Sequence, residues 1–138
     1  MLALLIGGAV NMGIIELNNV LFPIKGLDMT KVENINKAIK TWPVWRFIMP
    51  FLAHALGTFV AAFIAARWLK RRAKLAAGLI GGMFFYGGYA AVQMIQAPLW
   101  FDLTDLILAY FPMAILGYHL GTSAQLKNVQ QQTPTPSK

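Results

Sequence analysis

The chain has 138 residues, of which 57% are hydrophobic and only 12% charged, with a formal net charge of +7. A soluble domain carries about twice that charged fraction, so too few charged side chains remain to cover a water-facing surface. The cations form no stripe interleaved with aromatics, which argues against a nucleic-acid partner, and the absence of cysteine excludes disulfides, thiolate metal sites and cysteine nucleophiles.

A bilayer's hydrocarbon core takes about 20 apolar residues wound as a helix. Residues 2–22 approach this, interrupted by Asn11, Glu16, Asn18 and Asn19. No basic residue precedes the run and no small-residue cleavage site falls before Glu16, so it reads as a retained first helix and not as a signal peptide. In the loop that follows, Thr30-Lys-Val-Glu33 fits a capping box. Val32, Ile35, Ile39 and Trp42 then recur at helical spacing, which predicts a short amphipathic helix ended by Trp42-Pro-Val-Trp45. It would lie on the membrane surface or pack on its own bundle.

Residues 47–66 and 75–95 are the cleanest spans. Between them, Arg67 to Lys74 concentrates five of the twelve basic residues. The positive-inside rule therefore places this loop and both termini in the cytoplasm, although the first loop spreads Lys25, Lys31, Lys37, Lys40 and Arg46 over a longer segment. A last span over 103–121 opens with Asp102, Thr104 and Asp105. From Thr122 the chain turns polar and glutamine-rich and closes on Thr-Pro-Thr-Pro-Ser-Lys138, the composition of a disordered tail. The expected fold is all-α: one transmembrane domain over 1–121, an up-down four-helix bundle with a surface helix in its first loop, and a tail over 122–138.

Small residues sit where helices would touch. Gly57, Ala61 and Ala65 recur every four residues in the second span, and Gly78, Gly81 and Gly82, followed by Gly87 and Gly88, give the third a glycine-rich surface. Such spacings let backbones approach inside lipid.

Up-down topology also gathers polar residues. Glu16 lies about 9 Å inside the outer end of the first span, and His54 about 10 Å inside from the same side, at 1.5 Å per residue. Gln93 and Gln96 close the third span there, and Asp102 and Asp105 open the fourth. Asn19 shares a helix face with Glu16. Glu16, Asn19, His54, Gln93, Asp102 and Asp105 thus form an expected polar cluster in one membrane half. Intramembrane ionisable groups are costly and normally find partners. The two aspartates have a competing explanation as helix caps, whereas no helix start accounts for Glu16. His54 suits a bond to a neighbouring helix as well as a ligand or proton carrier, and His119 reads as an interface anchor.

Three kinds of site fit these residues. Glu16, His54 and Asp105 could take a divalent cation, although no HxxxH or ExxH spacing is present. The same three could relay a proton. They could also hold the polar head of a lipid or quinone, with Trp100, Phe101 and Tyr89 as an apolar wall. No nucleophile motif, phosphate loop or nucleotide fingerprint occurs, so no catalytic residue and no cofactor is assigned.

Phe51-Leu-Ala-His-Ala-Leu-Gly-Thr58, leading into an alanine-rich helix, and the later Pro98-Leu-Trp-Phe-Asp102 resemble segments of uncharacterised small four-helix bacterial inner-membrane proteins. The resemblance spans residues 10–121 and implies a multi-pass protein of the cell inner membrane, with no family catalytic residue to carry across. The leading expectation is a non-enzymatic accessory subunit or homo-oligomer, partnered by the bilayer, by itself or by a larger membrane complex. The alternatives are a small carrier using Glu16, His54 and Asp105, and a lipid- or quinone-binding membrane enzyme.

Overall fold

In the computed structural model, which describes residues 1–132 and side chains as far as Ala124, every regular element is helical. Helix α1 spans Leu2–Leu21 and α2 spans Val32–Ile39. A 3-10 turn, Val44–Phe47, leads into α3 (Ile48–Leu69), and a second, Lys70–Arg72, joins it to α4 (Ala73–Met94). The chain then forms α5 (Leu99–Leu108) and α6 (Phe111–Gln132).

Helix α3 is the centre, packed against α1, α4 and α6. Its buried positions are nearly all small: Ala53, Ala55, Gly57, Thr58, Ala61, Ala62, Ala65 and Ala66. Three neighbours can reach one helix closely only if little side chain stands between them. At the α1 contact a Cβ on Gly7 would lie 2.5 Å from the Gly57 carbonyl oxygen, and one on Gly57 would lie 2.8 Å from the Gly7 carbonyl oxygen. Both positions therefore require glycine. Gly117 meets Phe59 and Phe63, and Gly121 meets Phe63 and Ala66, so α3 and α6 advance in step along their shared groove. Of the other glycines expected to pack helices, Gly81 meets Ala114 and Phe111, whereas Gly78 and Gly82 have open space where a Cβ would point. Spacing alone does not distinguish the buried side of a glycine-rich helix from its bare side.

The opposite end of the core is aromatic. Phe47 packs on Trp42, Trp100 and Phe101 with ring centroids 5.5, 5.2 and 4.8 Å apart, and Ile39 of α2 joins them. Helix α2 thus lays its apolar side on the bundle. Asn36 fastens it there: its amide nitrogen donates to the Met94 carbonyl at 3.0 Å, and its side-chain oxygen accepts the Gln96 N–H at 2.8 Å.

Three details differ from the sequence reading. The capping box is absent, because Asp28 takes both the Thr30 hydroxyl at 2.7 Å and the Thr30 N–H at 3.0 Å, and α2 starts from Lys31 without a side-chain cap. Those bonds hold the exposed Asp28 carboxyl below its ordinary value. The span expected over 103–121 begins earlier, at Leu99 after Pro98, and is broken at Ala109–Tyr110. Pro112 has no N–H to return to the Leu108 carbonyl, so the α5 hydrogen-bond ladder ends there. Finally, α6 continues past Gly121 to Gln132. Residues 122–132 of the expected tail hold no proline or glycine to stop it, and residues 133–138 lie outside the described part.

Large apolar side chains point outward all around, among them Leu5, Met12 and Val20 on α1, Leu79 and Met83 on α4, and Ile115 on α6. Three stretches are long and apolar enough to cross a membrane: Leu2–Leu21, Val44–Met94, which holds both α3 and α4, and Leu99–Ala124.

Candidate functional site

Where the C-terminal half of α1, the start of α3, the end of α4 and α5 converge beneath α2, they leave a cavity of about 150 Å³. Its wall is mostly apolar, with Ile35, Ile39, Ala91 and Ile95 among the lining residues. Its polar groups are Asn18, Asn19, His54, Asp102, Asp105 and the indole of Trp42.

The centre of the polar wall is Asp105. His54 donates from Nδ1 to Asp105 Oδ2 at 2.7 Å, and the Tyr110 hydroxyl donates to the same oxygen at 2.9 Å. The His54 ring stacks on Tyr110 at 5.8 Å between centroids. Thr58, fully buried one turn along α3, donates its hydroxyl to the His54 carbonyl at 2.8 Å. The carboxylate orients the imidazole ring through Nδ1. Tyr110 reaches this position because Gly88 of α4 has no side chain: a Cβ there would stand 2.1 Å from the tyrosine oxygen.

Other polar atoms around the cavity are unpaired. Asp105 Oδ1, Asn18 Oδ1 and Trp42 Nε1 are buried without a hydrogen-bond partner, although Asp105 and Asn18 are only 3% and 4% exposed. A buried polar group left unmatched costs about 1–3 kcal/mol. All three belong to residues that line this one cavity.

Of the expected cluster, His54, Asp102, Asp105 and Asn19 come together at this cavity. Asp105 is no helix cap, because it lies in the interior of α5 and is bonded through its side chain to His54 and Tyr110. Glu16 and Gln93 are exposed and lie outside the lining. At about 100° per residue, Glu16 sits about 140° from Asn11 and about 160° from Asn18 around α1, and Asn11 is on the side that meets Gly57. Glu16, His54 and Asp105 therefore do not meet as one site within a single copy of the chain. Among the described residues no three histidine or acidic side chains are grouped to hold a metal ion.

Sequence reasoning did not select Asn18, Trp42, Thr58, Gly88 or Tyr110. Asn18 carries a signal, since it lies seven residues after Asn11 on the same helix face. Tyr110 carries none, because the break in the chain turns it back onto Asp105.

A histidine oriented by a carboxylate is also part of hydrolytic sites. Here the adjoining hydroxyls are spent, Thr58 on a carbonyl and Tyr110 on Asp105. The arrangement can accept hydrogen bonds and hold a polar group, while the remaining wall takes hydrocarbon. No protein-family model matches the chain, nor does any curated protein or solved structure.

Proposed function

We propose that the chain is an integral membrane protein of the cell inner membrane, a four-helix up-down bundle that binds the polar head of an amphiphilic molecule in the cavity under α2. The observation that carries this reading is the pairing of unmatched polar atoms with an apolar wall in one cavity. Ligand sites combine a mostly apolar lining with a few placed polar groups. The bundle's long apolar helices suit a bilayer, and the cavity lies toward the helix ends, where a headgroup would meet it.

Extraction of the purified chain in mild detergent, followed by mass spectrometry of what stays bound, tests the reading. Ala91→Phe fills the cavity from its α4 side. The wild type is expected to carry an amphiphile above the detergent background and Ala91→Phe to lose it at unchanged helix content. An empty wild type, or an occupied Ala91→Phe, would sink the proposal.

A second reading rests on Glu16. It is exposed in the C-terminal half of α1, a helix long and apolar enough to span, and a carboxylate facing lipid is costly. A second copy of the chain packed along that face would cover it. Because cysteine is absent, Leu17→Cys on the exposed side of α1 and Leu79→Cys on the exposed side of α4 serve as clean reporters. Oxidation in membranes should cross-link the first into dimers and not the second. Equal cross-linking at both sites removes this reading.

A further inference from the structure

The balance of donors and acceptors in the cavity narrows its occupant. We infer that the amphiphile carries its charge as an ammonium group, held by Asp105 Oδ1, Asn18 Oδ1 and the Asp102 carboxylate. This inference rests on the cavity being an amphiphile site at all.

The lining contains two carboxylates and no lysine or arginine. Two of its three unmatched atoms, Asp105 Oδ1 and Asn18 Oδ1, are acceptors on buried side chains; Trp42 Nε1 is the single unmatched donor. Asp102, half-buried on α5, adds a second carboxylate. Arg46 packs over the Trp42 ring at 5.4 Å, but it bonds the Phe22 carbonyl and does not line the cavity.

A site with surplus acceptors and negative formal charge discriminates strongly between headgroups. A quinone, carboxylate or phosphate would bring more acceptors and leave the buried oxygens of Asp105 and Asn18 unmatched. A primary ammonium brings three donors and the compensating charge. The volume of about 150 Å³ holds such a group with a few methylenes, at ~30 Å³ for each water-sized unit. The start of an alkyl chain would lie against the apolar wall, which includes Ile35 and Ile95. The ammonium could belong to a phosphatidylethanolamine headgroup or to a free alkylamine, and the chemistry of recognition is the same.

The test uses the full chain in phosphatidylcholine nanodiscs, with thermal unfolding followed in the presence of dodecylammonium, dodecanol or dodecanoate at equal membrane concentration. Dodecylammonium is expected to raise the melting temperature while the neutral and anionic chains do not. Asp102→Asn and Asn18→Leu should each weaken its apparent affinity about tenfold, the loss expected for one hydrogen bond to a charged group. Asp105→Asn should weaken it further; since that change also disturbs His54 and Tyr110, the half-buried Asp102 keeps the test valid should the Asp105 variant not fold. Equal stabilisation by all three amphiphiles would overturn the ammonium inference and leave amphiphile binding standing. Stabilisation by none would overturn both. An unchanged preference in both Asp102→Asn and Asn18→Leu would also overturn it. Replacing part of the phosphatidylcholine by phosphatidylethanolamine separates the sources: a lipid headgroup already raises the melting temperature and blocks the added amine, whereas a free amine acts equally in both discs.

Discussion

One oxygen of Asp105 accepts two hydrogen bonds while the other accepts none. The carboxylate is therefore both a structural tie and an unsatisfied acceptor. The tie depends on an absence, since Tyr110 occupies the volume that a side chain at position 88 would fill. Gly88→Ala is expected to destabilise the bundle by about 1–3 kcal/mol, as overpacking does, and to free the His54 ring. Gly82→Ala, whose Cβ would meet nothing within 4 Å, should be neutral or stabilising by about 0.5–1 kcal/mol through helix propensity. Denaturant unfolding of the two variants side by side decides this, and equal effects would mean that Tyr110 does not sit against Gly88. Sequence placed both glycines in one glycine-rich stripe; only the neighbour tells them apart.

At the level of elements, the cavity owes its roof to α2. Eight residues are too few to hold a helix by themselves in water, so α2 persists because Ile39 packs on Phe47 and Phe101 and Asn36 ties it to the end of α4. Asn36→Ala removes both ties at once. The expected cost is about 1–2 kcal/mol of local docking, read as faster amide hydrogen exchange over residues 32–39 with α3 unaffected. Unchanged protection there would mean the aromatic packing suffices. The break between α5 and α6 matters equally. An unbroken helix over 103–121 would place Tyr110 about 140° around the axis from Asp105, where their side chains would diverge. The proline that interrupts the ladder is visible in sequence, but the direction in which the chain refolds across it depends on what α6 finds on α3 and α4.

For the whole molecule, the proposed topology puts the basic turn Lys70–Arg72 and the α2 loop on opposite sides of the membrane. Single cysteines at the exposed Lys74 and Lys37 should react with an impermeant thiol reagent from opposite faces of sealed vesicles, Lys74→Cys from the cytoplasmic one. Labelling of both from one side would contradict the up-down arrangement. Composition and periodicity by themselves determined the helical class and apolar spans within a few residues over α1, α3 and α4, because those follow from local hydropathy along one chain. The amphipathic α2 and the presence of His54, Asp102 and Asp105 near one end were also legible, since an alternating course puts those helix ends together. Azimuth was not. Whether Glu16 faces a neighbour or the outside, whether Gly78 packs, and whether Asn18 enters the cavity depend on how each helix is rotated about its axis, and that rotation is set by close contacts such as Gly7 with Gly57. Tertiary structure alone decided these points, because a helix carries polar and small residues on several faces and only its packing partners select which face is buried.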